Sequence, residues 1–164
     1  QRAFGQLRKI DCWQGEDKAG LPEAIKMTQN KPYIYGKHFA PHDIKATDLS
    51  TGKTRQETAK ELGLNFEVIP DIGIEEGIHA GRIAFSHLWI DEEKCSLWID
   101  AISAYHYEWD EKRGMFKDQP YHDWASHFAD EWRYASVIED QMTNDSEEPV
   151  GHYDEVNFDV YNNK

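Results

Sequence analysis

Residues 121–134 read YHDWASHFADEWRY, and this stretch carries the clearest structural pattern in the chain. At about 100° per residue, the side chains of Trp124, Phe128 and Trp132 cluster on one side of a helix. Large aromatic side chains on one side of a helix are typical of an element anchored in a core. The pattern therefore predicts a final helix over about residues 123–138.

A second side of this helix is polar. Asp123, His127 and Asp130 fall within about 60° of one another, because offsets of four and seven residues return to the same helical face. Two carboxylates and an imidazole in one stripe can hold a divalent cation. A solvated polar face is the commoner explanation of such a stripe, and the spacing alone leaves both interpretations open.

Upstream of this helix the chain is predicted to place strands early and helices late. Residues rich in aromatic and β-branched side chains, closed by Pro or Gly, predict strands over residues 4–13, 33–39 and 66–69. Helices are predicted over residues 21–28 and 54–62. Apolar residues at helical spacing continue through 74–88 and 95–109, and a loop follows over 111–120. The fold class is therefore α/β.

One acid lies where α/β proteins commonly place functional groups. Asp43 follows the strand predicted over residues 33–39, and ligands of open α/β sheets bind beyond the carboxyl ends of strands. Its oxygen atoms suit Mg²⁺ or Mn²⁺ better than Zn²⁺. Opposite a helix with Asp and His, Asp43 would complete a minimal scaffold for metal-assisted phosphodiester hydrolysis. The alternative is that Asp43 only caps the following turn.

Composition fits one domain with an acidic tail. Twenty-one aromatic residues in 164 argue against global disorder. The formal net charge is −13, and residues 139–164 contain eight acids against one Lys. We therefore predict a domain over residues 1–138 and a flexible acidic tail over 139–164. Cys12 and Cys95 have no metal-binding spacing and are expected to be free thiols.

The charge and the hydropathy restrict the classes of partner. A strongly acidic chain weakens a nucleic-acid interpretation without excluding it, because phosphate binding depends on Lys and Arg. Four basic residues near the predicted site are candidates for contact with a DNA backbone: Lys37, Lys45, Lys53 and Arg55. Ordinary surface solubility explains them equally well. No apolar run approaches the roughly 20 residues that cross a bilayer, so we expect no membrane partner.

Four motifs resemble a known family. They are KPYIYGKHFAPHDI, TGKTRQETAKELGL, EEGIHAGRIAF and IDAISAYHYEWDEKRGMFKDQPYHDWASHFADEWRYA. In this order they are similar to the C-terminal nuclease domain of large terminase subunits from tailed bacteriophages and prophages. The resemblance covers residues 4–137.

The resemblance implies an RNase H-like fold, a mixed sheet flanked by helices. It also implies an endonuclease that cuts concatemeric double-stranded viral DNA with two Mg²⁺ or Mn²⁺ ions. Asp43 matches the second acid of the family pattern. His127 and Asp130 match the region of the third acid, and Asp123 is a further candidate there.

The resemblance also implies partners and a location. These are the terminase ATPase domain, the small terminase subunit and the portal, in the cytoplasm of a bacterial host. The chain departs from the family pattern at the first strand, whose Asp has no match; Asp11 is an early acid that we do not assign to that role. The leading hypothesis is therefore a divalent-metal-dependent endodeoxyribonuclease. The alternative is a non-catalytic prophage remnant or interaction module that keeps the fold.

Overall fold

A computed structural model describes residues 1–15 and 19–142 of the chain. These residues form a mixed α/β structure, as the sequence predicted. Of the tail predicted over 139–164, residues 143–164 lie outside the described part. The first residues of that range, Glu139–Gln141, form a short 3-10 helix.

The described residues contain helices of seven to fourteen residues and shorter strands. The helices are α1 (Leu21–Gln29), α2 (Arg55–Glu61), α3 (Ile74–Ala84), α4 (Ser96–Ala104) and α5 (Trp124–Val137). The strands are β1 (Arg2–Ala3), β2 (Gln6–Lys9), β3 (His38–Ala40), β4 (Phe66–Val68), β5 (Leu88–Ile90), β6 (Tyr107–Asp110) and β7 (Met115–Pro120). Within the described ranges no helix has the length and apolar character that crossing a membrane requires.

The strands form three small sheets. In the first, β2 lies between β1, which is antiparallel to it, and β5, which is parallel to it. In the second, β3 and β4 are parallel, with Ala40 opposite Val68. In the third, β6 and β7 form an antiparallel hairpin. The parallel pair β3–β4 brings the residues that follow both strands to one edge, which positions the candidate site.

Local chemistry explains why α2 lies where the sequence predicted a helix. The Thr54 side chain accepts a hydrogen bond from the Glu57 backbone N–H, and the Glu57 side chain accepts one from the Thr54 backbone N–H. This reciprocal capping satisfies two donors that the first helical turn leaves free. Gly63, with φ at 86°, ends the helix in a conformation that favours glycine.

Three sequence predictions over the middle of the chain are wrong. The helical pattern over residues 74–88 ends at Ala84, and Leu88 begins strand β5, which pairs with β2. The loop predicted over 111–120 contains strand β7, which turns back onto β6 through Gly114 at φ 63°. The helical pattern over residues 95–109 ends at Ala104, and Tyr107–Asp110 form strand β6, which pairs with β7. In all three places pairing with a distant or neighbouring strand overrides the local periodicity.

The strands predicted near the amino terminus are also shorter than expected. Residues 4–13 contain only strand β2, because Phe4 and Gly5 turn the chain at positive φ. Residues 33–39 contain only the start of β3, which runs from His38 to Ala40. The aromatic side chains of residues 33–35 therefore lie outside a paired strand. The Tyr35 ring lies 5.1 Å from the His38 ring.

The main core lies between α3, α4, α5 and strand β2. It combines small residues with larger apolar and aromatic ones: Leu7, Ala84, Cys95, Trp98, Ala101, Ala125, Phe128 and Trp132. The rings of Trp98 and Trp132 meet edge to face at 5.5 Å. The apolar side predicted for the last helix is confirmed for Phe128 and Trp132, which are buried, whereas Trp124 is half exposed.

Helices α3 and α5 approach closely because two glycines of α3 face α5. A Cβ atom at Gly77 would lie 2.9 Å from the Cβ of Arg133. A Cβ atom at Gly81 would lie 2.9 Å from the Trp132 indole nitrogen, which donates a hydrogen bond of 3.3 Å to the Gly81 carbonyl. A smaller core of Ile25, Ala59 and Leu64 joins α1 to α2 beside the β3–β4 sheet.

Candidate functional site

Asp123 is the N-cap residue directly before helix α5, and this position decides what its carboxylate does. Its Oδ1 atom accepts a hydrogen bond of 2.9 Å from the Ala125 backbone N–H. A cap of this kind satisfies a donor that the helix leaves free. Seven residues of helix separate Asp123 from Asp130, about 10 Å along the axis. Asp123 therefore stabilises the helix start and lies two turns away from Asp130.

The other two members of the predicted polar stripe have different surroundings. His127 is exposed, and its ring lies 5.7 Å from the ring of His122. His122 in turn bonds the Ser126 hydroxyl at 2.9 Å. The Asp130 Oδ1 accepts hydrogen bonds from Arg133, at 3.1 Å from Nε and 2.5 Å from Nη2. The stripe is one helical face, but its three groups have separate partners.

Asp43 lies on a 3-10 helix, His42–Lys45, that directly follows β3. Ile44 of this turn is buried and holds it against the domain. The Asp43 carboxylate is exposed, with Arg55 Nη1 at 3.7 Å. The predicted placement of Asp43 just past a strand end is confirmed.

The carboxyl-terminal part of α5 contacts this 3-10 helix. The Tyr134 hydroxyl lies 3.4 Å from His42 Nδ1, across 92 residues of sequence. His42 Nδ1 also lies 3.7 Å from a carboxylate oxygen of Asp71, which follows strand β4. His42 therefore links the ends of two parallel strands to the last helix.

Three carboxylates act on the Tyr134 phenol. Burial raises its pKa above the ordinary value of 10.0, and the charges of Asp71, Asp130 and Asp43 raise it further. The Arg133 charge acts in the opposite direction. A neutral phenol is favoured where negative charges surround it. The fold thus brings Asp43 and Asp130 to the neighbourhood of one side chain, and Asp71 with them.

Asp71, His42 and Tyr134 were not among the residues that the sequence singled out. Asp71 follows Pro70 at the carboxyl end of a predicted strand, so the reasoning applied to Asp43 also pointed to it. His42 and Tyr134 carry no comparable signal, because only the packing of α5 on the 3-10 helix brings them together.

The donor atoms suit a hard cation, although they do not enclose one. Carboxylate oxygens are the ligands that Mg²⁺ and Mn²⁺ prefer. Across residues 1–15 and 19–142, no three His, Cys, Asp or Glu side chains form a group that could hold a metal ion. Asp43 and Asp130 each face an arginine instead. Of the proposed ligands, these two are the ones whose charges both act on the Tyr134 phenol.

Three of the four basic residues proposed to contact DNA have acidic neighbours. Lys37 Nζ lies 3.0 Å from Glu67, and Lys53 Nζ lies 2.6 Å from Glu61. Arg55 pairs with Asp43. Lys45 is exposed and has no ion pair among the described residues. The positive charge available near Asp43 is therefore mainly that of Lys45.

No protein-family model, curated protein or solved structure matches this chain.

Proposed function

We propose that this chain is an RNase H-like nuclease domain of a terminase large subunit, a divalent-metal-dependent endodeoxyribonuclease that cuts concatemeric double-stranded DNA. The observation that carries the proposal is the contact of α5 with the turn after β3. It brings Asp130 and Asp43, the two acids matched to the family pattern, into the surroundings of Tyr134. Acids that are distant in sequence and close in the fold are typical of two-metal nucleases.

The sheet arrangement also supports this proposal. Strands β3 and β4 are parallel, so Asp43 and Asp71 follow strand ends at the same edge. Within the described residues β3 pairs only with β4. A first strand carrying the unmatched Asp would bring its acid to the edge where Asp43 lies. The terminase ATPase domain, small subunit and portal are proposed partners on the resemblance alone.

Asp43 and Asp130 would hold the cation, with Asp71 beside them and His127 further along α5. A bound Mg²⁺ or Mn²⁺ ion would supply the Lewis acid that polarises a phosphodiester. Lys45 would attract the DNA backbone, since it is exposed and lacks a described ion pair. Arg55 and Arg133 pair with these two carboxylates, so a cation would have to compete with the two guanidinium groups.

The test is cleavage of supercoiled plasmid DNA in Mn²⁺ and in Mg²⁺, with a chelator as the blank. We expect the native chain to cut the plasmid. The cleavage rate of Asp43→Ala should fall at least tenfold, because changing even a residue that only supports a metal ligand lowers activity by about that factor. Asp100→Ala is the matched control, since Asp100 is an exposed carboxylate on α4. If the native chain leaves plasmid intact, or Asp43→Ala cuts as fast, the catalytic proposal fails.

A second candidate is a non-catalytic remnant or interaction module. The arginine partners of Asp43 and Asp130 favour it, because an ion pair satisfies each carboxylate without a metal. The two candidates differ in their response to Mn²⁺. A cation that binds only the folded state raises the melting temperature. No shift in millimolar Mn²⁺, together with no cleavage, would support the non-catalytic candidate.

A further inference from the structure

A cleft of about 210 Å³ opens between α3, α5 and the segment that joins α4 to β6. We call it the α3–α5 cleft. Its apolar walls are Ile78, Phe85, Ile102, Tyr105 and Trp132. Clefts with apolar and aromatic walls and a few polar groups are the usual form of a small-molecule site. Its volume is below the roughly 300–1,000 Å³ of sites for drug-sized ligands, which restricts it to a small occupant.

Arg133, which lines this cleft, is a buried cation with an unused donor. Its side chain is 9% exposed, and its stem packs against Gly77 of α3. Nε and Nη2 bond Asp130, but Nη1 is buried and finds no hydrogen-bond acceptor among the described residues. A buried donor without an acceptor costs free energy, and more so on a charged group.

The geometry of the guanidinium directs the free donor away from Asp130. The group is planar, and the nitrogens that bond Asp130 occupy one of its edges. Nη1 therefore faces the other side. The Arg133 charge acts on the phenol of Tyr105, which is a wall of the cleft: burial raises the Tyr105 pKa, and Arg133 opposes that rise.

The charges around the cleft are unusual for this chain. The chain carries −13 overall, yet none of the described residues that line the cleft is Asp or Glu. Arg82 lies exposed at the rim and has no described ion pair, so the cleft presents two guanidinium groups. The nearby Glu75 carboxylate already accepts a hydrogen bond of 2.5 Å from the Tyr107 hydroxyl. Asp130, the ion-pair partner of Arg133, and Glu75 both act on Tyr105 of the cleft wall, so an anion here finds two guanidinium donors beside two nearby carboxylates.

We propose that the α3–α5 cleft is a binding site for a small carboxylate with an aromatic or branched apolar body. The carboxylate accepts a hydrogen bond from Arg82 at the rim and one from Arg133 Nη1, which the buried Arg133 side chain must turn toward the cleft to donate. The body packs on Phe85 and Trp132. This site shares Asp130, the partner of Arg133, with the proposed metal site, but it does not depend on Asp43. It stands whether or not the chain cuts DNA.

The first test uses the native full chain with phenylacetate as the probe and phenylacetamide as its neutral isostere. Both are titrated while amide and indole N–H signals are followed by nuclear magnetic resonance. We expect saturable shifts at the Trp132 indole N–H, at Gly81 and at Tyr105, and about tenfold weaker binding of phenylacetamide, because hydrogen bonds to charged groups are the strong ones. Shifts elsewhere, no binding, or equal affinity for the two probes would overturn the proposal.

The second test removes the donor. Arg133→Met keeps the packed stem and deletes the guanidinium, and we expect phenylacetate affinity to fall about tenfold or more. Arg113→Met is the charge-matched control, since Arg113 is exposed beside Asp110 on the β6–β7 hairpin, and its affinity should be unchanged. Near-ultraviolet circular dichroism verifies the folding of each variant. If Arg133→Met folds and binds phenylacetate like the native chain, Arg133 is not the anion partner. If it does not fold, the mapping on the native chain decides.

Discussion

Residue by residue, the environment of a group decides its chemistry more than its type does. Asp123 and Asp130 lie on one helix, yet one caps the helix and the other pairs with Arg133. The helical spacing predicted that they share a face, and it could not assign their partners. Asp43 was placed correctly because a strand end is a local feature. The ion pair of Asp43 with Arg55 depends on the next turn of chain, which spacing does not describe.

The two cysteines give a prediction at this scale. Both are free, as expected from their spacing. Burial raises the Cys12 pKa from the ordinary 9.0 to about 11, with Lys9 opposing that rise, and burial also raises the Cys95 pKa. Because only the thiolate reacts, we expect Cys12 to be alkylated by iodoacetamide at pH 8 roughly 100-fold more slowly than an unperturbed thiol. The rate should keep rising with pH until about pH 11.

The measurement is the alkylation rate by mass spectrometry from pH 7 to 10. The same chain unfolded in urea is the control, and both of its thiols should react at ordinary rates. Rapid alkylation of Cys12 in the folded chain at pH 8 would contradict the assigned pKa.

Among the elements, the packing of α3 on α5 matters most, because it forms both the core and the α3–α5 cleft. Gly77 and Gly81 are four residues apart, so they share a helical face. That face is what allows the Trp132 indole to reach the Gly81 carbonyl. The sequence showed Gly81 inside a helical pattern, and only the packed pair shows that a side chain there would displace Trp132.

We expect Gly81→Ala to destabilise the chain by up to about 2 kcal/mol. Alanine favours a helix over glycine by about 1 kcal/mol, but overpacking a core typically costs about 1–3 kcal/mol. The new Cβ would lie 2.9 Å from the Trp132 indole nitrogen, which must move. Urea unfolding measures the loss, and the Trp132 indole N–H signal should shift in the folded variant.

Gly73→Ala is the control for this change. Gly73 precedes α3 at negative φ, and a Cβ there would meet no atom within 4 Å. It should leave the Trp132 signal in place. An unshifted Trp132 signal in Gly81→Ala would contradict the close packing of α3 on α5.

At the scale of the whole molecule, Glu131 of α5 connects strand β2, near the amino terminus, with helices α4 and α5. The Glu131 carboxylate of α5 accepts hydrogen bonds from Lys9 of β2 at 2.8 Å and from the Trp98 indole of α4 at 3.1 Å. The Lys9 side chain is only 10% exposed and lies 4.9 Å from the Trp98 ring. One carboxylate therefore ties a strand and two helices together.

We expect Glu131→Ala to lower the free energy of unfolding by about 1–3 kcal/mol, because it leaves a nearly buried cation and a buried indole donor without their acceptor. Glu131 is half exposed, so solvent screening keeps the effect near the lower end of that range. Urea denaturation followed by tryptophan fluorescence measures it.

Glu108→Ala provides the comparison. Glu108 pairs with Lys117 across the β6–β7 hairpin, and both side chains are well exposed. Exposed pairs contribute less than about 1 kcal/mol. Equal losses in the two variants would mean that the Glu131 contacts do not join the elements as described.

The sequence by itself determined the features that depend on neighbouring residues. These are the α/β class, the last helix with its buried Phe128 and Trp132, the capped helix α2 and the position of Asp43 after a strand. Each follows from periodicity, capping or turn chemistry, which act over a few residues.

The tertiary structure alone decided the pairing of β5 with β2, the β6–β7 hairpin and the meeting of Tyr134 with His42. It also decided that Arg133 is buried with a free donor in the α3–α5 cleft. The physical reason is common to all four: they arise from contacts between segments distant in sequence or from strand pairing, and neither leaves a periodic trace in the chain.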